Sequence, residues 1–126
     1  MVDVERQVAH WRLGAQEDWD AGEALLNLGK FRHALFFLHL SLEKALKARV
    51  CSETGDVAPR VHNLVRLSEL AGLTPDSEQL DALADMGAFN MEGRYPEMLG
   101  PPPTLEEARS YARRAREVLE WLMKTS

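Results

Sequence analysis

Apolar positions recur at intervals of three and four along this chain, and no stretch alternates with the period of two that a half-buried strand needs. The pattern predicts an all-α fold, an antiparallel up-and-down bundle of about five helices. Val4, Val8, Trp11, Ala15, Gly22 and Leu25 mark the first helix, over about residues 4–28, with Asp18 in the middle of its apolar arc. Gly29 stops it, and Lys30 begins a second helix that runs to about residue 51. Gly55, Asp56 and Pro59 make residues 52–60 a loop; Leu64, Leu67 and Leu70 then define a shorter helix over about residues 61–71, ended by Gly72. Thr74 before Pro75 predicts the cap of a fourth helix reaching about residue 89. Gly93, Pro96, Gly100 and three consecutive prolines exclude regular structure from residues 90–103. The last helix opens on Thr104 with Glu107 three residues on, a capping box. Its stripe is Leu105, Ala108, Ala112, Ala115, Leu119 and Leu122, with Arg109, Arg113 and Arg116 along one edge.

The second helix is the unusual one. Leu35, Leu38, Ala45 and Leu46 spread over several faces, whereas Arg32, His39, Glu43 and Lys47 fall within about 60° of one another at 100° per residue. A helix that is apolar around most of its circumference must be enclosed by neighbours. Its one polar row must then face a cleft, a partner or other charges.

A chain of 126 residues with 45% hydrophobic content fits one domain, residues 1–126, around a single core. No apolar run is long enough to span a membrane, and the acidic N-terminus has no hydrophobic segment behind it, so a cytoplasmic protein without a signal peptide is expected. Cys51 stands alone, which excludes an internal disulfide and any multi-cysteine metal site. The net charge of −5 argues against a general nucleic-acid coat. Between positions 30 and 50, however, Lys30, Arg32, Lys44, Lys47 and Arg49 meet a single acid, Glu43, which leaves room for a local phosphate site.

Asp18, flanked on its helix by Trp11, Ala15, Gly22 and Leu25, must be paired, with Lys44, Lys47 and Arg94 as the available cations. His39 and Glu43, one turn apart, make only half a metal site, and no His-x-x-x-His or Glu-x-x-His spacing completes it, so neither metal nor cofactor is expected. His62 reads as a cap or packing histidine. No nucleophile elbow, phosphate-binding Gly-rich loop or dinucleotide fingerprint is present.

Three segments together resemble the HEPN family, the helical domains named for nucleotide binding in higher eukaryotes and prokaryotes. They are Trp11 with Ala15 and Asp18-Trp19; Phe31 through Leu42-Glu43-Lys44-Ala45-Leu46-Lys47-Ala48; and His62-Asn63-Leu64 with Leu67, followed later by Arg94-Tyr95-Pro96. The resemblance implies a bundle of about five helices that forms homodimers. It also implies one of two occupations: partner of a minimal nucleotidyltransferase in a toxin–antitoxin pair, or metal-independent RNase.

The RNase members carry an arginine, four to six residues and a histidine near the start of a late helix. Here His62 is the last histidine, so none follows Arg94. Arg32 and His39 match the spacing, but in the second helix, where chance alone produces such a match; they are weak catalytic candidates. The preferred expectation is a nucleotide- or polynucleotide-binding protein with Lys44, Lys47 and Arg94 as phosphate contacts and Asp18, Glu43, His62 and Tyr95 around a polar cleft. The alternatives are an RNase toxin with a noncanonical site and a non-catalytic dimerisation adaptor.

Overall fold

The computed structural model describes residues 2–92 and 101–124. The helices are α1 (Val4–Asn27), α2 (Phe31–Thr54), α3 (Leu64–Leu70), α4 (Ser77–Gly87), the single turn α5 (Phe89–Glu92) and α6 (Leu105–Met123); no strand occurs among the described residues. Arg94, Tyr95 and most of the irregular stretch expected around them lie outside the described residues.

Local chemistry sets most boundaries. Asp3 caps α1 by accepting from the Arg6 amide at 3.1 Å, and Gly29, at φ 77°, turns the chain back into α2. Lys30 stands at the α2 N-cap with no acceptor to offer, so that end has no side-chain cap. The far end passes the expected residue 51 and stops at Gly55, φ 69°. α3 starts three residues later than the apolar spacing suggested, because Asn63 caps it by accepting from Arg66 N at 2.9 Å, leaving Val61 and His62 outside the helix. The cap of α4 is Asp76, not Thr74: Asp76 and Gln79 form a reciprocal capping box, at 2.8 and 2.9 Å, whereas the residue three places after Thr74 is Ser77, too short to reach back. The box expected at Thr104 and Glu107 is present, at 3.1 and 2.9 Å.

A turn at Ala88 separates α4 from α5, so Asn90 is helical where irregular chain was expected. The turn lets Phe89 bury itself edge-on against Tyr111 of α6, centroids 5.1 Å apart.

α2 is the central helix, packed by α1, α3, α5 and α6. Leu35, Leu38, Leu42, Leu46 and Cys51 along it are fully buried. Its approach to α1 is close: a Cβ on Gly22 would meet Leu38 Cδ2 at 2.5 Å and the Ala34 carbonyl oxygen at 3.2 Å. Ser41 Oγ donates to the Ala15 carbonyl at 2.7 Å across the same seam. α6 closes the bundle with Ala108, Ala115, Val118, Leu119 and Leu122 buried, whereas Leu105, at the mouth of the helix, is exposed despite its place in the stripe. Trp121, off the apolar stripe of α6, is partly buried against the core.

Candidate functional site

The polar row of α2 converges on one carboxylate. Glu43 is only 6% exposed, in the middle of an otherwise apolar helix, and would be prohibitively costly there alone. Lys47, one turn on, brings Nζ to 3.0 Å from Oε2. His62, just before α3, places Nδ1 at 3.0 Å from the same oxygen. His39, one turn back and fully buried, sets Nε2 3.5 Å from Oε1. Burial pushes the Glu43 carboxyl up, but the His39, His62 and Lys47 hydrogen bonds and the Lys47 charge outweigh it and hold the group at about 2. Glu43 is therefore an ion that can only accept.

This fixes the proton on His62. An imidazole nitrogen facing an ionised carboxylate at 3.0 Å must donate, so Nδ1 carries the hydrogen and Nε2 is left pointing away from Glu43. The His62 side chain is 52% exposed, so that nitrogen is presented towards solvent. His39 faces the same carboxylate through Nε2 but is fully buried. Its Nδ1 lies 3.1 Å from the Met86 carbonyl in the last turn of α4. Its ring thus ties α4 to α2 from inside the core.

A second pair runs alongside. Lys44 Nζ, one of the cations expected for Asp18, meets its Oδ2 at 2.8 Å. The Lys44 stem lies over Gly14, where an added Cβ would meet its Cδ at 3.0 Å. Lys47 Nζ sits 5.3 Å from the centroid of the Trp11 ring. Trp11, Gly14 and Asp18 follow one another at helical spacing on α1, so each lysine of α2 is laid against a specific α1 position.

The predicted residues are thus only partly brought together. Asp18 and Lys44 meet across the α1–α2 seam, Lys47 reaches both Trp11 of α1 and Glu43, and His62 joins Glu43 from the segment before α3. Lys47, 7% exposed, is committed to Glu43 and Trp11, while Lys44, with a third of its side chain exposed, keeps access to solvent. Arg32 and His39 do not make a surface pair: they stand two turns apart on α2, about 10 Å along its axis, and His39 is sealed in the core. Arg94 and Tyr95 lie outside the described residues. No group of three histidine, cysteine or acidic side chains suited to a metal occurs among the described residues, and beside Glu43 the Lys47 ammonium would repel a divalent cation.

Sequence reasoning missed Trp11 as part of this edge, and it missed a clamp elsewhere. Arg49 Nε donates to the Leu122 carbonyl at 2.9 Å and its Nη2 to Trp121 and Lys124 at 3.4 and 3.2 Å; Arg12 Nη2 donates to Met123 at 3.1 Å. A signal was present: α6 ends on Trp121-Leu122-Met123 with no basic residue in its last turn and no glycine behind it, so its last carbonyls needed outside donors.

The HEPN domain family model matches residues 8–125. Among solved structures, the chain is similar to TT1696 from Thermus thermophilus, with a TM-score of 0.78 and 21% identity over 92% of this chain and 95% of that one. It is also similar to ST0689, an archaeal HEPN homologue, with a TM-score of 0.71 and 24% identity over 91% and 93% of the two chains. No curated protein matches. With the family model spanning nearly the whole chain and two solved structures sharing its helical bundle almost end to end, the chain belongs to the HEPN domain family.

Proposed function

We propose that this chain binds a nucleotide or polynucleotide along the α1–α2 edge and works as a homodimeric, cytoplasmic partner of a minimal nucleotidyltransferase in a toxin–antitoxin pair. The supporting observation is His62: a half-exposed imidazole whose orientation is fixed by a buried, ionised Glu43, on the side of α2 that also carries Lys44 and Lys47. An oriented ring, together with a partly exposed ammonium on the residue next to its carboxylate anchor, suits a phosphate, which rewards donors already held in place. In this reading Lys44 and His62 touch the ligand, and Lys47 holds Glu43. Arg94 is the third proposed phosphate contact and Tyr95 a neighbour of the cleft.

Calorimetric titration of ATP and of a short RNA into wild type, His62→Ala, Lys44→Ala and Arg94→Ala is the test. Each substitution is expected to weaken binding by about 1.5–3 kcal/mol, the worth of a charge-assisted hydrogen bond. Failure of wild type to bind either ligand would leave the dimerisation-adaptor reading, in which the Asp18–Lys44 and Glu43–Lys47 pairs are structural.

One observation favours an RNase as a second reading. A histidine open to solvent with a carboxylate behind it is the arrangement general-base catalysis uses. In that case His62, not His39, would carry the proton, and RNA cleavage would vanish in His62→Ala.

A further inference from the structure

The clamp on the end of α6 leaves a cavity of about 260 Å³ lined by Val8, Arg12, Ala48, Arg49, Ser52, Leu122 and Lys124. Among the described residues its charged lining consists of three cations and no acid, in a chain whose net charge is −5. The cleft of about 450 Å³ between α4 and α6 is different: there Arg113 and Arg114 are offset by Asp76, Glu78, Asp81 and Glu117. None of Arg12, Arg49 and Lys124 has a carboxylate within ion-pair reach among the described residues, whereas Lys44, Lys47, Arg66, Arg114 and Arg116 all do.

The helix carbonyls occupy only part of what these arginines offer. One Nη2 contact occupies a single donor of the five on Arg12, and Arg49 uses Nε and Nη2 but not Nη1. Both guanidiniums are half-buried and held by the bonds they do make, so a ligand would meet donors that need little further ordering. Ser52, in the last turn of α2, adds a hydroxyl with no hydrogen-bond partner among the described residues, and Val8, Ala48 and Leu122 form an apolar wall that strengthens electrostatic contacts.

We propose that this cavity is a second anion site, separate from the α1–α2 edge, that takes a phosphate group bridged between Arg12 and Arg49, with Ser52 and Lys124 at its mouth. Forked guanidinium donors match the several oxygens of a phosphate. The phosphate could belong to free inorganic phosphate or to the end of a nucleotide, and the volume admits either.

The test is a set of titrations by amide-shift NMR using inorganic phosphate, AMP and adenosine as probes. Phosphate and AMP are expected to shift the Ser52, Arg49 and Lys124 signals saturably, and adenosine is expected not to. Tighter binding of AMP than of phosphate would assign the site to a nucleotide end; equal binding would assign it to the free ion. Ser52→Asp places a negative charge at the mouth without removing any donor of the clamp and is expected to weaken phosphate binding at least tenfold; Ser52→Asn, of the same shape and uncharged, should bind within about threefold of wild type. Arg12→Ala should also lose binding, and because it can loosen α6 it is read only beside the Ser52 pair. Lack of saturation by phosphate in wild type, or equal affinity in Ser52→Asp and Ser52→Asn, would overturn the proposal. His62→Ala should leave this binding unchanged, so the two sites succeed or fail separately.

Discussion

His62 Nδ1 donates to Glu43 Oε2 across 3.0 Å, joining the segment before α3 to the middle of α2. The bond exists because Glu43 stays ionised inside the protein, so acid should undo it. The Glu43 carboxyl is held at about 2 in the fold, against 4.5 as its ordinary value. A depressed carboxylate stabilises the fold above its unfolded pKa, and that contribution fades as pH falls through the folded one. Glu43 should therefore contribute about 3 kcal/mol at neutral pH, lost between about pH 4.5 and pH 2. Urea unfolding of wild type and Glu43→Gln should show a stability gap at pH 7 that narrows across that window. A gap of the same size at pH 2.5 and pH 7 would refute the linkage.

Gly22→Ala should destabilise the protein by about 1–3 kcal/mol, even though alanine is the better helix former by about 1 kcal/mol. The new Cβ would collide with Leu38 and with the Ala34 backbone, and backbone cannot move aside cheaply. Gly14→Ala should be close to neutral, because its Cβ meets only the flexible stem of Lys44. The midpoint of urea unfolding distinguishes the two.

Asp18→Ala should cost about 1 kcal/mol. A loss of about 3–5 kcal/mol would follow only if a cation were left stranded in the core. The partner is Lys44, however, and with a third of its side chain exposed it can turn its ammonium to water once the carboxylate is gone. A loss above about 3 kcal/mol in chemical denaturation would show that Lys44 has no such escape.

Arg49→Met, which keeps the stem and removes the donors, should loosen the end of α6 specifically. Three carbonyl contacts disappear together, leaving the helix end to water. Hydrogen exchange of the amides of residues 119–124 should speed up more than that of α1, and uniform acceleration would contradict a local clamp.

Light scattering at about 100 μM is expected to show a dimer. Phe36, Phe37 and Leu40 are half-buried on α2 without belonging to the core cluster, which is apolar surface a second copy could cover. A monomer at that concentration would remove this expectation.

What the sequence by itself determined is what depends on neighbours along the chain. Periodicity identified α1, α2 and α6; the left-handed turns after α1, α2 and α3 fell at glycines; the Thr104 and Glu107 box closed as its spacing required. The all-round apolar character of residues 31–50 made α2 central, and its polar row was visible at helical spacing. Tertiary structure decided everything that depends on which helices meet. It gave Asp18 to Lys44, brought His62 to Glu43 from nineteen residues away, enclosed His39 under the Met86 carbonyl, and carried Arg12 and Arg49 to the end of α6. A helical phase specifies the direction in which a side chain points, but the group standing opposite belongs to another element. Packing of apolar faces fixes that element, and buried charges then take the partners it leaves within reach.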